Sequence, residues 1–380
     1  MKTALVVGGS NGIGAAMVKQ LLQQNYTTIF VLDKSEPDFD CENKIVFIQH
    51  NLLQFDISVL QQCADINTLI ITAGFGRVAP FTSIIDAEIT NSFTVNAEAI
   101  CRIIKFFYAK ILSTDTFYCA VMGSIAGMIS SPLFALYGAT KAAICSFIES
   151  INIELERSGT SNRILNVSPG SISGTRFNGG ENDLVQIQKL AQEIIEKMFQ
   201  KQTLFIPQFN EIYGSVLNKY KENPHEFGLQ SFDYKNNSDR KNSKPQLKIG
   251  YLSGTFDLFH IGHLNLLKRA KEYCDYLVVG VHKDALHKGK HVFISFEERF
   301  EIVKNIKYVD KVVPSHKEDI DTYAEIPYDF LFVGSDYQGS ERFNRYEDFF
   351  KGKDVKIIYF PYTQTTSSTQ LRKVIDEKIK

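Results

Sequence analysis

The feature that most constrains this chain is an alternation of short apolar runs and amphipathic runs that occurs twice. Between residues 1 and 220, the β-branched or aromatic runs "TALVVGG", "TTIFVLD", "IVFIQ", "TLIITAG", "YCAVMGS" and "RILNVSPG" are candidate strands. Runs with apolar residues every three or four positions, at 13–24, 86–112, 136–157 and 183–200, are candidate helices between them. Strands joined by helices pair in parallel and need helices on both faces. Residues 221–246 interrupt the pattern with a polar stretch without sustained period, read as a linker in which "FGLQSFDY" packs locally. From "LKIGYLSG" the alternation resumes: helix 261–273, strand "YLVVGVH", helix 295–306, strands "KVVPS", "FLFVGS" and "VKIIYFP", and a last helix from Ser368. The expected fold class is α/β, with two doubly wound parallel-sheet (Rossmann-like) domains, 1–220 and 247–380, joined by the polar linker. The halves do not repeat each other, so the chain reads as a fusion.

Composition narrows the partners. A net charge of -1 over 380 residues gives no general pull toward nucleic acid or an anionic membrane, so any phosphate must be held by local groups. The partners expected are small molecules, with no nucleic acid and no membrane. Six cysteines (Cys41, Cys63, Cys101, Cys119, Cys145, Cys274) lack the spacing of a zinc site or disulfide framework and read as buried residues in a reducing compartment. Thr116–Thr140 is uncharged and long enough to span a bilayer, but its Gly, Ser and Pro breaks fit a strand, a loop and a helix start better. No signal-like segment opens the chain, and the expected location is cytoplasmic.

Gly8, Gly12 and Gly14 form a G-x-x-x-G-x-G turn between a strand and a helix, where backbone approaches a pyrophosphate and free helical N–H groups meet it. A tight turn without a ligand is the plain alternative. Asp33 ends the next strand, where its carboxylate accepts from ribose hydroxyls and repels a 2′-phosphate. NAD(H) is therefore expected, with NADP possible. Tyr137 and Lys141 stand four apart, on one helix face, where the ammonium favours phenolate. Such a tyrosine passes a proton to a carbonyl oxygen as hydride arrives, and Ser124 hydrogen-bonds the same oxygen.

Together these motifs resemble the short-chain dehydrogenase/reductase family over residues 1 to about 205. The resemblance makes Tyr137 the acid/base, Lys141 the ribose-binding group, Ser124 the orienting group and Asn96 the support of a proton-relay water. It adds Ser10, Asn11, Ile13, Ala73, Gly74, Pro169 and Gly170 to the cofactor contacts. Two positions depart from the family: Val7 replaces a threonine and Thr72 an asparagine, both at turn-supporting places.

In the second half "GTFDLFHIGHLNLL" places His260 and His263 near a helix start, with Gly262 leaving room for a phosphate. The site suits in-line attack on phosphorus. A zinc site, with Asp257 as the nearest third ligand, and a surface helix with incidental histidines are the alternatives. The segment is similar to the H-x-G-H nucleotidyltransferases, and more narrowly to glycerol-3-phosphate cytidylyltransferases, over 247–375. That resemblance implies CTP and Mg2+, with His260 and His263 stabilising the transition state. It places Gly254, Thr255, Phe256, Asp257, Lys288, Lys290, Arg299, Asp336, Ser367, Ser368 and Thr369 around the nucleotide and phosphates. The last motif departs: "YTQTTSST" carries Tyr362 where the family has arginine, and Arg342, Arg345 or Arg372 are candidates to compensate. H-x-G-H alone does not name the base, so adenylyl transfer stays open.

A reductase fused to a cytidylyltransferase implies a keto-sugar phosphate, such as ribulose 5-phosphate, reduced to a polyol phosphate and converted with CTP to a CDP-polyol for surface polysaccharides of capsule or teichoic-acid type. Cytidylylation first, or a reductase-like domain that only senses NAD(H), are the alternatives. Both families imply a homo-oligomer.

Overall fold

A computed structural model describes residues 2–37, 39, 43–172, 174, 175, 177, 183–237, 247–284, 292–361 and 371. The chain divides into two compact units, Met1–Gln246 and Leu247–Lys380.

In the first unit the order is β1 (Thr3–Val7), α1 (Gly12–Gln23), β2 (Thr28–Asp33), β3 (Ile45–Gln49), β4 (Thr68–Ile71), α2 (Asp86–Phe93), α3 (Ala99–Leu112), β5 (Tyr118–Met122), α4 (Ala135–Ser158), β6 (Ile164–Val167), α5 (Leu184–Phe199), β7 (Leu204–Phe205), α6 (Gly214–Glu222) and α7 (Pro224–Asn236). The strands form one sheet, β3-β2-β1-β4-β5-β6-β7, and every pairing is parallel. Side chains of β1 alternate between two cores. Leu5 and Val7 join Ile100, Ile103, Phe107 and Ile148 of α3 and α4, while Ala4 and Val6 join Met17, Leu21, Ile194 and Met198 of α1 and α5. Burial on both faces explains why the strands read as unbroken apolar runs.

In the second unit the order is β8 (Ile249–Gly254), α8 (Ile261–Tyr273), β9 (Tyr276–Val281), α9 (Phe296–Lys304), β10 (Lys311–Pro314), α10 (Asp319–Glu325), β11 (Phe330–Gly334), α11 (Glu341–Phe350) and β12 (Lys356–Phe360). The sheet runs β10-β9-β8-β11-β12, again all parallel. Leu252, Leu277 and Val279 pack with Leu267 of α8 and Val303 of α9; Tyr251, Val278 and Leu331 pack with Phe343 and Tyr346 of α11 on the other face.

Both units are thus doubly wound α/β folds, as the alternation implies. Each sheet reverses its winding at the first strand, between β1 and β4 and between β8 and β11, which is where such sheets take ligands at the strands' carboxyl ends. Thr116–Thr140 becomes β5, a short 3-10 turn and the start of α4, and no helix among the described residues is long and apolar enough to cross a membrane.

The structure differs from the sequence reading at several elements. The stretch read as a linker contains α7, because Asn223 accepts from the Glu226 N–H at 3.1 Å and Pro224 opens the first turn without needing a donor. The candidate helix 86–112 is two helices around a π turn, Thr94–Glu98. None of the candidate runs marks β7, α6, α10 or α11; β7 has two residues, too few for any period.

Candidate functional sites

The glycine turn follows β1. Gly8 has φ 81°, and a Cβ there would stand 2.6 Å from the Ala73 nitrogen; a Cβ on Gly14 would stand 2.1 Å from the Gly8 oxygen. Thr72, which departs from the family pattern, closes this turn: its hydroxyl lies 3.1 Å from the Val7 carbonyl and 3.0 Å from that of Gly8, as donor to both. Ala73 donates to the Val7 carbonyl at 3.1 Å. Asn11 is the extended residue before α1, and Ile13 packs on the α1 core. Asp33 accepts from the Ser10 N–H at 3.1 Å, so the carboxylate at the end of β2 is joined to the loop that precedes α1. Ser10 is fully buried and its hydroxyl has no hydrogen-bond partner among the described residues. An orphaned hydroxyl, a cradle that any Cβ would fill and an adjacent carboxylate fit a dinucleotide.

The expected acid/base group lies on α4. Tyr137 and Lys141, on the first turns of α4, are both buried, and Lys141 Nζ stands 5.6 Å from the Tyr137 ring centroid. Lys141 donates to the Met122 carbonyl at 2.7 Å. Ser124 shares a hydrogen bond with Tyr137 and donates to the Pro169 carbonyl at 3.4 Å. Burial is the larger influence on both α4 groups. It pushes the Tyr137 phenol well above its ordinary value, with the Ser124 hydrogen bond opposing, and lowers the Lys141 ammonium to about 8. Because Lys141 is charged only below its lowered pKa, kcat/KM for NADH is expected to fall as pH rises through about 8; a profile flat from pH 7 to 10 overturns this role.

Asn96 sits on the π turn, a distortion common at functional sites. Its amide is directed at protein. It accepts from the Phe75 N–H at 3.0 Å and donates to the Phe75 carbonyl at 2.8 Å and to Thr140 Oγ1 at 3.1 Å. Asn96 thereby fixes the Gly74–Gly76 strand end, and a Cβ on Gly76 would stand 2.5 Å from the Tyr137 ring. Phe134 stacks on that ring at 4.3 Å, and Phe177 lies 5.2 Å away. Tyr213 covers the Pro169–Gly170 turn so closely that a Cβ on Gly170 would stand 1.6 Å from its hydroxyl. The sequence reading passed over Tyr213, Phe134 and Phe177; no spacing marks them, since they reach the site by tertiary contact.

In the second unit β8 runs into a strained segment. Phe256 has φ 53° and Leu258 φ 50°, values rare for such residues, and the Phe256 ring packs on Gly254. His260 is the N-cap of α8. Its Nδ1 accepts from the Gly262 N–H at 3.0 Å, and the His263 Nδ1 accepts from the His260 N–H at 3.4 Å. The rings stack 4.0 Å apart. A nitrogen that accepts from a backbone N–H carries no proton, so the N–H of each ring is at Nε2. Burial lowers the His260 pKa and favours its neutral form. Two Nε2–H donors beside a helix N-terminus suit oxygens of a phosphate.

Two residues expected at the nucleotide, Asp257 and Arg299, bond to the backbone around the motif. Asp257 is buried and accepts from the N–H groups of Phe293 and Ile294, at 3.0 to 3.2 Å. Arg299, also buried, donates to the carbonyls of Ile294, Thr255, His282 and Lys283. Both hold the motif in shape. Arg342, a candidate substitute for the missing arginine, pairs with Asp319 at 3.2 Å and Glu318 at 3.5 Å. Arg345 lies 3.7 Å from Glu318. Thr255 Oγ1 is buried without a partner among the described residues, and Asp336 lies exposed just past β11 at the same sheet end. Lys288, Lys290, Tyr362, Ser367, Ser368, Thr369 and Arg372 lie outside the described residues. Among the described residues no cluster of three His, Cys, Asp or Glu side chains could hold a metal. With the ligands that the described residues offer, magnesium fits this site as an ion carried chiefly by phosphate oxygens.

Residues 2–185 match the family model of short-chain dehydrogenases, and residues 251–374 that of cytidylyltransferase-like proteins. The glycerol-3-phosphate cytidylyltransferase of Bacillus subtilis is 38% identical over 129 residues, 32% of this chain and 92% of that protein. An uncharacterized oxidoreductase of Staphylococcus epidermidis is 25% identical over 214 residues, 52% of this chain and 91% of that protein. Among solved structures, a short-chain dehydrogenase from Streptomyces avermitilis superposes with a TM-score of 0.51 at 18% identity, covering 62% of this chain and all of that one, which supports the fold alone.

Proposed function

Since the chain carries a short-chain dehydrogenase/reductase domain and, in its second unit, belongs to the cytidylyltransferase family, and is thus a bifunctional enzyme, we propose that the two reactions are consecutive. The first reduces a keto-sugar phosphate, such as ribulose 5-phosphate, to a polyol phosphate. The second joins CMP from CTP to that phosphate, giving a CDP-polyol and pyrophosphate for surface polysaccharide synthesis. The observation that carries this reading is the likeness of the second unit to an enzyme whose name gives a polyol phosphate as acceptor. A carbonyl reductase on the same chain makes an acceptor of that class.

Bound NADH supplies a hydride to the carbonyl carbon. Tyr137 gives its phenolic proton to the carbonyl oxygen, Ser124 orients that oxygen, and the Lys141 ammonium stabilises the phenolate left behind. Ser10, the glycine turn and Asp33 hold the dinucleotide, and the placement of Asp33 supports NAD over NADP. In the second unit an oxygen of the polyol phosphate attacks the α-phosphorus of CTP, and the bond to the β-phosphate oxygen breaks. The Nε2–H groups of His260 and His263 donate to oxygens whose charge grows along this path.

Incubation with CTP, magnesium and ribulose 5-phosphate, with and without NADH, tests the sequence of steps. Pyrophosphate release is expected only with NADH, and with ribitol 5-phosphate without it. Equal release from the ketose without NADH overturns the reduction-first order. Replacing CTP by ATP is expected to abolish release, and release with ATP overturns the choice of base.

A further inference from the structure

Helix α7 consists of residues whose composition reads as a spacer, yet it lies against the Ser130–Pro132 segment ahead of α4. Lys235 donates to Ser131 Oγ at 2.7 Å and to the Pro132 carbonyl at 3.2 Å, and to Ser231 Oγ of its own helix at 3.2 Å. Two turns earlier, a Cβ on Gly228 would stand 3.5 Å from Ser130 Oγ. The segment these residues touch leads directly to the catalytic tyrosine. Leu133 has φ 59°, and its carbonyl accepts from the Ala79 N–H at 2.7 Å. Phe134 follows and stacks on Tyr137 with 21° between the rings.

A leucine in the left-handed region persists only where its surroundings hold it there. Here Ala79 grips the turn at Leu133, and Lys235 grips it at Ser131 and Pro132. We propose that α7 is a wall of the reductase substrate site, and that Lys235 is a positioning residue whose grip on the Ser131–Pro132 turn sets Phe134 against Tyr137. Burial lowers the Lys235 ammonium to about 8, so the fold carries a desolvation cost to keep this group at the turn. The proposal rests on the reductase reading of the Tyr137 site.

Lys235→Met removes the donors and keeps most of the aliphatic stem. In the full-length protein, amide exchange at residues 133–138 is expected to rise by about tenfold, the loss expected for one hydrogen-bonded contact, while the glycine turn exchanges as before. KM for the ketose is expected to rise with NADH binding and cytidylyl transfer unchanged, and Lys235→Arg is expected to recover much of the loss. Exchange at 133–138 equal to wild type overturns the proposal. So does faster exchange across the whole reductase unit with unchanged kinetic constants, which would make Lys235 a general brace. If Lys235→Met does not fold, Ser131→Ala removes the partner on the turn and is read by the same measurements. A wild-type protein that reduces no keto-sugar phosphate refutes the substrate reading, while the exchange comparison still decides the place of α7.

Discussion

Replacement of Tyr137 by Phe is expected to lower NADH-dependent ketose reduction by about 10²- to 10⁴-fold, the range that a positioned proton donor contributes. The phenyl ring keeps the contacts with Phe134, Phe177 and Gly76, so only the hydroxyl is lost. NADH binding is expected to survive, since the glycine turn, Ser10 and Asp33 lie on other elements. Cytidylyl transfer to a supplied polyol phosphate is expected at the wild-type rate, because the H-x-G-H site belongs to the other compact unit. Reduction within tenfold of wild type would remove Tyr137 from the chemistry and leave an NAD(H)-responsive domain in its place.

Backbone turns, and the side chains that share a helix face or a cap, are legible in the sequence because geometry fixes their residue type and spacing. Gly8 and Gly14 admit no Cβ, Tyr137 and Lys141 need one helix face, and His260 and Gly262 share one cap. The direction of long polar side chains was not readable. Arg299 and Asp257 stand inside the nucleotide motif, yet their groups are taken up by backbone carbonyls and amides, because a buried charge must be satisfied locally. Asn96 is similar: its place on the chain was legible, but not its bonds to Phe75 and Thr140. Helix α7 escaped for the opposite reason. Its apolar period is weak, and its start depends on the Asn223 cap and Pro224. Thr72 shows how a departure from a family pattern is absorbed, since its hydroxyl reaches both carbonyls of the turn that it supports.

The histidine pair allows capping and catalysis to be separated. Each imidazole uses Nδ1 to accept a backbone N–H and is left with Nε2–H as donor. In His260→Asn the amide oxygen still accepts from the Gly262 N–H, as asparagine does at helix N-caps, but nothing replaces Nε2–H. His260→Ala removes both functions. The two variants are therefore expected to lose cytidylyl transfer alike, by about 10²- to 10³-fold, the cost of one donor to developing charge. They are expected to differ in stability: the alanine variant loses a further ~1 kcal/mol of capping energy and the asparagine variant does not. Ketose reduction at Tyr137 is the internal control and is expected to be unchanged in both. If the asparagine variant transfers CMP at the wild-type rate, His260 is only a cap, and the charge on the phosphates must be met elsewhere in the unit. His263→Ala is expected to fall in the same range. The pair makes one donor set on one turn, so the double variant is expected to lose less than the product of the two single losses.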